Sequence, residues 1–216
     1  FQVLALSALS GLLALGVVAL ITREPFPAWG AARLALLAGV AGSIGLAALY
    51  RGLSIGSAAV VAPTSGVLGA ALPVLFTGLT AGAPAPIQMA GFALAIAGIF
   101  LVSRTTSGEP GAGRRGFGLA IMAGLGFGAF FILIAKAEQG QTFTPLILSR
   151  LVQLGAALLL MRINRLPLPS LRGNPVALLS GLLDAGGNVF YILAGQLLRL
   201  DVAAVIASLY PASTVI

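Results

Sequence analysis

Long apolar runs alternate along this chain with short stretches rich in Gly, Pro and polar residues. The runs cover roughly 1–21, 34–50, 56–79, 85–103, 116–136, 143–161, 175–198 and 202 to the end. A hydrocarbon core about 30 Å thick is crossed by about 20 helical residues, so each run suits one membrane span. Inside lipid each span must be helical, because its backbone polar groups find partners only within the segment. The intervening stretches TREPFPAWG, RGLSIGS, TAGAPAP, TSGEPGAGRRG, EQGQT, RINRLPLPSLRGNP and LRLD carry the residues with which helices stop and start. The pattern predicts an all-α, polytopic membrane helix bundle.

Composition agrees with the pattern. Of 216 residues, 59% are hydrophobic and 8% charged, with a mean hydropathy of +1.08. Soluble domains carry about 25% charged residues. The net charge of +7 comes from arginines scattered singly between apolar runs, which builds no basic face and argues against nucleic acid. The chain has neither Cys nor His. A disulfide framework, a thiolate metal site and Ser-His-Asp chemistry are therefore out of reach. The lack of an initiator Met and the apolar ending TVI suggest a fragment of a longer polypeptide, with no recognisable signal peptide.

The two halves resemble one another. Residues 1–47 align without a gap to 143–189. Phe1, Leu4, Leu6, Ser7, Leu9 and Leu12 meet Phe143, Leu146, Leu148, Ser149, Leu151 and Leu154. PFP at 25–27 meets PLP at 167–169, and ALLAG at 35–39 meets ALLSG at 177–181. After a three-residue shift AAVV at 58–61 meets AAVI at 203–206. The first run corresponds to the sixth. An odd number of spans separates their starts, so the second copy enters the membrane from the opposite side, as in inverted-repeat transporters. The expected division is a first repeat at 1–103, a linker at 104–115 and a second repeat at 116–216. Each copy lacks one helix of five, so the intact protein is expected to have ten spans, of which this chain shows eight.

The stretches ALYRGLSIGSAAVVAPTSGVLGAALPVLF at 48–76, GFALAIAGIFLVSR at 91–104 and AGQLLRLDVAAVIASLYPASTVI at 194–216 resemble the drug/metabolite transporter superfamily. The likeness is to its ten-helix EamA-type permeases, and most to YddG-type amino-acid and metabolite exporters. It covers the whole chain, through hydrophobic motifs that speak to the superfamily more than to a substrate. It implies a bacterial inner-membrane protein exporting a small metabolite by alternating access, with no cofactor and with an ion gradient or simple facilitation as driving force. Many relatives carry a glutamate where this chain has TAGAPAP, so no role for that acid carries over. Arg51, Arg104, Arg114, Arg115, Arg162, Arg165 and Arg172 on one side would make that side cytoplasmic by charge. The family pattern implies the reverse, and the orientation stays open.

Two charges lie deep inside runs. Arg150 precedes Met161 by 11 residues, about 16 Å along a helix, and Asp184 follows Asn174 by 10, about 15 Å. One loop joins the two runs at that face, so the pair is expected at one level and in contact. It serves either as a structural salt bridge or as a substrate or proton site. The first copy has Ala8 and Gly42 at these positions. Asp184, Asn188 and Tyr191 share one helical face, read as cavity lining rather than a helix–helix contact. Ser43 and Tyr50 are the polar residues of the equivalent run. Pro63, Thr64 and Ser65 mark an expected kink, matched in the second copy by Ser208, Tyr210, Pro211 and Ser213. Kinks at corresponding places in two inverted halves point to a transport site. Gly124 and Gly128 form a close-approach face, and Phe127 and Phe131 could line a cavity or serve packing. Lys136 is expected to snorkel to the interface. GAGRRG at 111–116 satisfies GxGxxG with no strand before it, and is discounted.

The expected lining is thus Ser43, Tyr50, Pro63, Thr64, Ser65, Phe127, Phe131, Asp184, Asn188, Tyr191, Ser208 and Tyr210, with no catalytic, metal or cofactor residue. The partners are a small molecule, an amino acid by preference, and the lipid bilayer. A multidrug or nucleotide-sugar carrier is the alternative transporter, and a non-transporting membrane subunit the alternative class.

Overall fold

The computed structural model describes residues 1–82, 85–87, 89–91, 93–94, 97, 112–138, 140–171, 173–197 and 199–207. Its helices are α1 (Gln2–Thr22), α2 (Trp29–Ile55), α3 (Ala58–Ala81), α4 (Ala112–Ala137), α5 (Phe143–Ile163), α6 (Pro175–Leu197) and the short α7 (Leu200–Ala207). No strand occurs among the described residues. The helices α1 to α6 are long and apolar enough to cross a membrane, as a multi-pass protein requires. The described residues from 86 to 97 are also helical. The rest of the fourth run, and the chain beyond Ala207, lie outside the described residues.

Helices extend further than the apolar runs. α2 continues past Tyr50 to Ile55, and α4 begins at Ala112, inside the stretch expected to be a linker. Arginine is a good helix former, and a helix that leaves the hydrocarbon gains hydrogen bonds without losing solvation of its charges. α3 is a single helix containing both Pro63 and Pro73, so the expected kink at Pro63 does not break it.

Contacts divide the chain into two compact units, and each takes pieces from both expected repeats. The first holds 1–43 and 133–197. Within it α1 packs on both α5 and α6. Gln2 Nε2 donates to Pro167 O at 2.8 Å, and Phe143 N–H donates to Glu24 Oε2 at 2.8 Å. Each helix thus starts beside the residues that follow the other's end, and α1 and α5 run antiparallel. Gly181 of α6 lies against Ser7 and Ser10 of α1. Gly39 of α2 lies against α5, where an added Cβ would fall 2.6 Å from Ser149 O and 2.7 Å from Val152 Cβ. Small residues at such crossings let the backbones approach closely.

α1 and α5 also end alike. Arg23 and Arg165 both adopt left-handed backbone with φ 52°. Glu24 N–H then donates to Ala19 O, and Leu166 N–H to Met161 O, closing the turn on carbonyls the helix leaves unpaired. Glycine is the usual occupant, since a Cβ is disfavoured there.

The second unit holds 44–132 with the chain from 198 on. There α3 packs against α7. A glycine seam joins α3 and α4: a Cβ on Gly124 would fall 2.5 Å from Leu68 Cβ and 2.9 Å from Ser65 O, and one on Gly128 2.6 Å from Leu72 Cβ. Gly124→Ala should cost about 1–3 kcal/mol through overpacking. Gly118→Ala, with nothing within 4 Å on the same helix, should leave stability unchanged or slightly raised. Thermal unfolding of the purified variants in one detergent checks the contrast.

Candidate functional site: a buried arginine and a half-open carboxylate

The loop from Asn164 to Asn174 returns the chain so that α5 and α6 share one membrane face. Arg150 and Asp184 then stand at similar depth, and Arg150 Nη2 donates to Asp184 Oδ2. The two side chains differ in environment: Arg150 is 2% exposed and Asp184 49%. Arg150 Nη1 also donates to Gln153 Oε1 at 3.1 Å, one turn further along α5. Gly11 of α1 packs beside it: a Cβ there would be in ordinary contact with Arg150 Nε at 3.5 Å, and its tight approaches are to Gly181 O at 3.0 Å and Ala185 Cβ at 3.2 Å on α6. A charge this buried is tolerable only when paired and hydrogen-bonded. Here Asp184 supplies the charge and Gln153 a second acceptor.

Asp184, Asn188 and Tyr191 do not share one environment. Asn188 Nδ2 donates to the backbone O of Asp184 at 2.9 Å, so its amide is turned along its own helix. Tyr191 is buried at 3% exposure. Ser43 donates to Gly39 O at 2.7 Å.

In the other unit Thr64 is buried on α3, and its Oγ1 has no hydrogen-bond partner among the described residues. The next residue, Ser65, is fully buried and donates back to Ala62 O at 2.9 Å. Pro63 is half-buried and Tyr50 is exposed. Phe127 turns its ring toward Gly45 of α2, where a Cβ would fall 2.9 Å from the ring. Phe131 meets Phe130 edge to face, with centroids 5.6 Å apart. The Phe127 ring therefore serves helix packing. Lys136 is exposed in the last turn of α4. Ser208 and Tyr210 lie outside the described residues.

No family model, curated protein or solved structure matches this chain.

Three features escaped sequence reasoning. Gln153 and Gly11 complete the surroundings of Arg150; the i, i+3 spacing of Arg150 and Gln153 was the available signal. Glu24 receives the N–H of Phe143 at the start of α5 while its other oxygen, Oε1, is buried without a partner among the described residues. The third is an ion pair in the stretch read only as the loop LRLD. Arg199 donates through Nη2 to Asp201 Oδ2 at 3.2 Å, and through Nε to Oδ1 at 3.4 Å. It also reaches Gly82 O at 3.3 Å, past the end of α3. Asp201 is fully buried, and its Oδ1 accepts Val202 N–H at 2.9 Å. Arg199→Met leaves that carboxylate one backbone donor and should cost about 1–3 kcal/mol. Adding Asp201→Asn should recover part of the loss, read as a double-mutant cycle on thermal unfolding. Among the described residues no three acids gather into a metal site.

Proposed function

We propose that this chain is a secondary transporter of the drug/metabolite type, built as two inverted five-helix repeats and exporting small metabolites, amino acids foremost, across a bacterial inner membrane. One observation carries the reading. The register that aligns 1–47 with 143–189 equates Gly39 with Gly181, Ser7 with Ser149 and Ser10 with Val152. Gly181 lies on Ser7 and Ser10, and Gly39 lies on Ser149 and Val152. Each copy gives the other the contact it receives, which is the signature of a two-fold relation. The antiparallel run of α1 and α5 supports the inverted sense, and the aligned Arg23 and Arg165 turns support the register. Inverted repeats of membrane helices are the common frame of secondary transporters, with the substrate held near the bilayer midplane. Within the first unit, the mid-depth Asp184 is the polar group that suits such a site.

The test is counterflow. Liposomes carrying the purified protein are loaded with a mixture of unlabelled amino acids, and uptake of single labelled amino acids is followed. Transient accumulation above protein-free liposomes is expected for at least one amino acid. Absence of flux for amino acids, nucleotide sugars and lipophilic cations alike would overturn the transport reading and leave a structural membrane subunit.

A further inference from the structure

Arg150 uses only part of its partner. Its Nη2 engages Asp184 Oδ2, and Oδ1 takes no hydrogen bond among the described residues. An ionised carboxylate offers about four lone-pair positions on its two oxygens, so one side of this group is unspent. Its side chain is 49% exposed although it stands well inside a membrane-crossing helix. Acyl chains cannot solvate a carboxylate, and intramembrane acids face protein, water or a ligand. The neighbouring surface leaves room. Gly187, one turn along α6, has nothing within 4 Å of where a side chain would begin. Asn188, which could have capped the free oxygen, gives its amide to the Asp184 carbonyl instead.

The sign of the exposed charge sets the chemistry. Arg150 is almost wholly covered, so a visiting molecule meets the acid and not the base. The guanidinium and the Gln153 acceptor fix the carboxylate from behind. What remains is an acceptor aimed outward in a medium of low dielectric, where a charge-assisted hydrogen bond is strong. We infer that Asp184 Oδ1 binds a primary ammonium group, held in position by Arg150 and Gln153. This rests on the proposed transport function, in which the ammonium belongs to the transported molecule. The site should reject molecules whose nitrogen is acylated and molecules that carry only a carboxylate.

Four probes of similar size separate these chemistries: leucine, 3-methylbutylamine, N-acetyl-leucine and 3-methylbutanoate. In detergent-solubilised protein, leucine and the amine should raise the unfolding temperature with saturable dependence, and the other two should not. Asp184→Asn leaves Arg150 unpaired and can fail to fold. The informative variant is therefore Arg150→Gln with Asp184→Asn, which removes both charges together. It should weaken amine binding about tenfold or more while recovering most of the stability that Asp184→Asn alone loses. Gly187→Val, which fills the open space, should weaken amine binding without lowering the unfolding temperature. Equal binding of leucine and N-acetyl-leucine, no binding of either amine, or unchanged amine affinity in the double variant would each overturn the inference. Selective amine binding without counterflow supports the site and removes the transport reading. Counterflow indifferent to the amino group does the opposite.

Discussion

Replacing Gly181 by valine should prevent accumulation of folded protein, whereas the same change at Gly187, six residues along the same helix, should leave folding intact. A first carbon on Gly181 would overlap Ser7 O and Ser10 Oγ and lie 2.6 Å from Ser7 Cα. Two of those obstacles belong to the backbone of α1, so no rotamer change relieves them. α1 and α6 would have to separate along their crossing, losing the dispersion contacts on both sides. Overpacking costs about 1–3 kcal/mol where side chains can yield, and more where a backbone blocks the way. With a total stability of about 5–15 kcal/mol, that is enough to unfold a marginal protein. Gly39→Val should fail in the same way, since it meets Ser149 O and Val152 Cβ at the aligned crossing. Fluorescence-detected size exclusion of the four proteins reads the result directly. Normal folding of Gly181→Val would show that the α1–α6 contact is looser than described.

The second large effect falls on the ion pair, and it is unequal. Asp184→Asn should destabilise by about 3 kcal/mol, toward the lower bound for breaking a buried pair. The amide can still accept a hydrogen bond, but the Arg150 charge, 2% exposed, loses its counter-charge. Arg150→Gln should cost less, because the orphaned carboxylate is half-exposed and can be solvated from its open side. Removing both charges should recover most of the loss, as replacing buried pairs by neutral groups often does. Chemical denaturation in mixed micelles gives the three free energies, and the cycle gives the coupling. Equal losses for the two single variants would mean that Asp184 is covered as fully as Arg150.

Much of this arrangement was readable from residues alone. Apolar length gave α1 to α6, because lipid leaves the backbone no alternative to a helix. Counting residues from one loop put Arg150 and Asp184 at one level, because rise per residue is nearly constant. Helix ends were harder: Ala112 to Arg115 read as linker, since nothing in GAGRR distinguishes a solvated helix turn from a coil. Arg23 and Arg165 were hidden for the opposite reason. Their left-handed backbone runs against the preference of a residue with a Cβ, so composition pointed elsewhere. Gly11 acquires its role only from neighbours distant in sequence, on α5 and α6, whereas Gln153 and Asp201 have partners within three residues, and burial, which spacing alone does not reveal, gives those contacts their weight. Phe127 shows the same limit, for an aromatic ring looks alike in sequence whether it faces a void or a glycine.

The strip along which α1 and α5 meet is, on the proposed repeat, its own complement. A half-length ancestor could therefore have met a second copy of itself across a two-fold axis, with every residue appearing twice. An arginine buried in such a dimer would have come as a pair, with two cations to neutralise. Joining the copies in one polypeptide removes that doubling. Residue 150 can hold a guanidinium while residue 8 stays alanine, and a single carboxylate at 184 answers it. On the proposed repeat, fusion of the copies would give this seam something symmetry forbids: an ion pair without a counterpart at the equivalent positions 8 and 42.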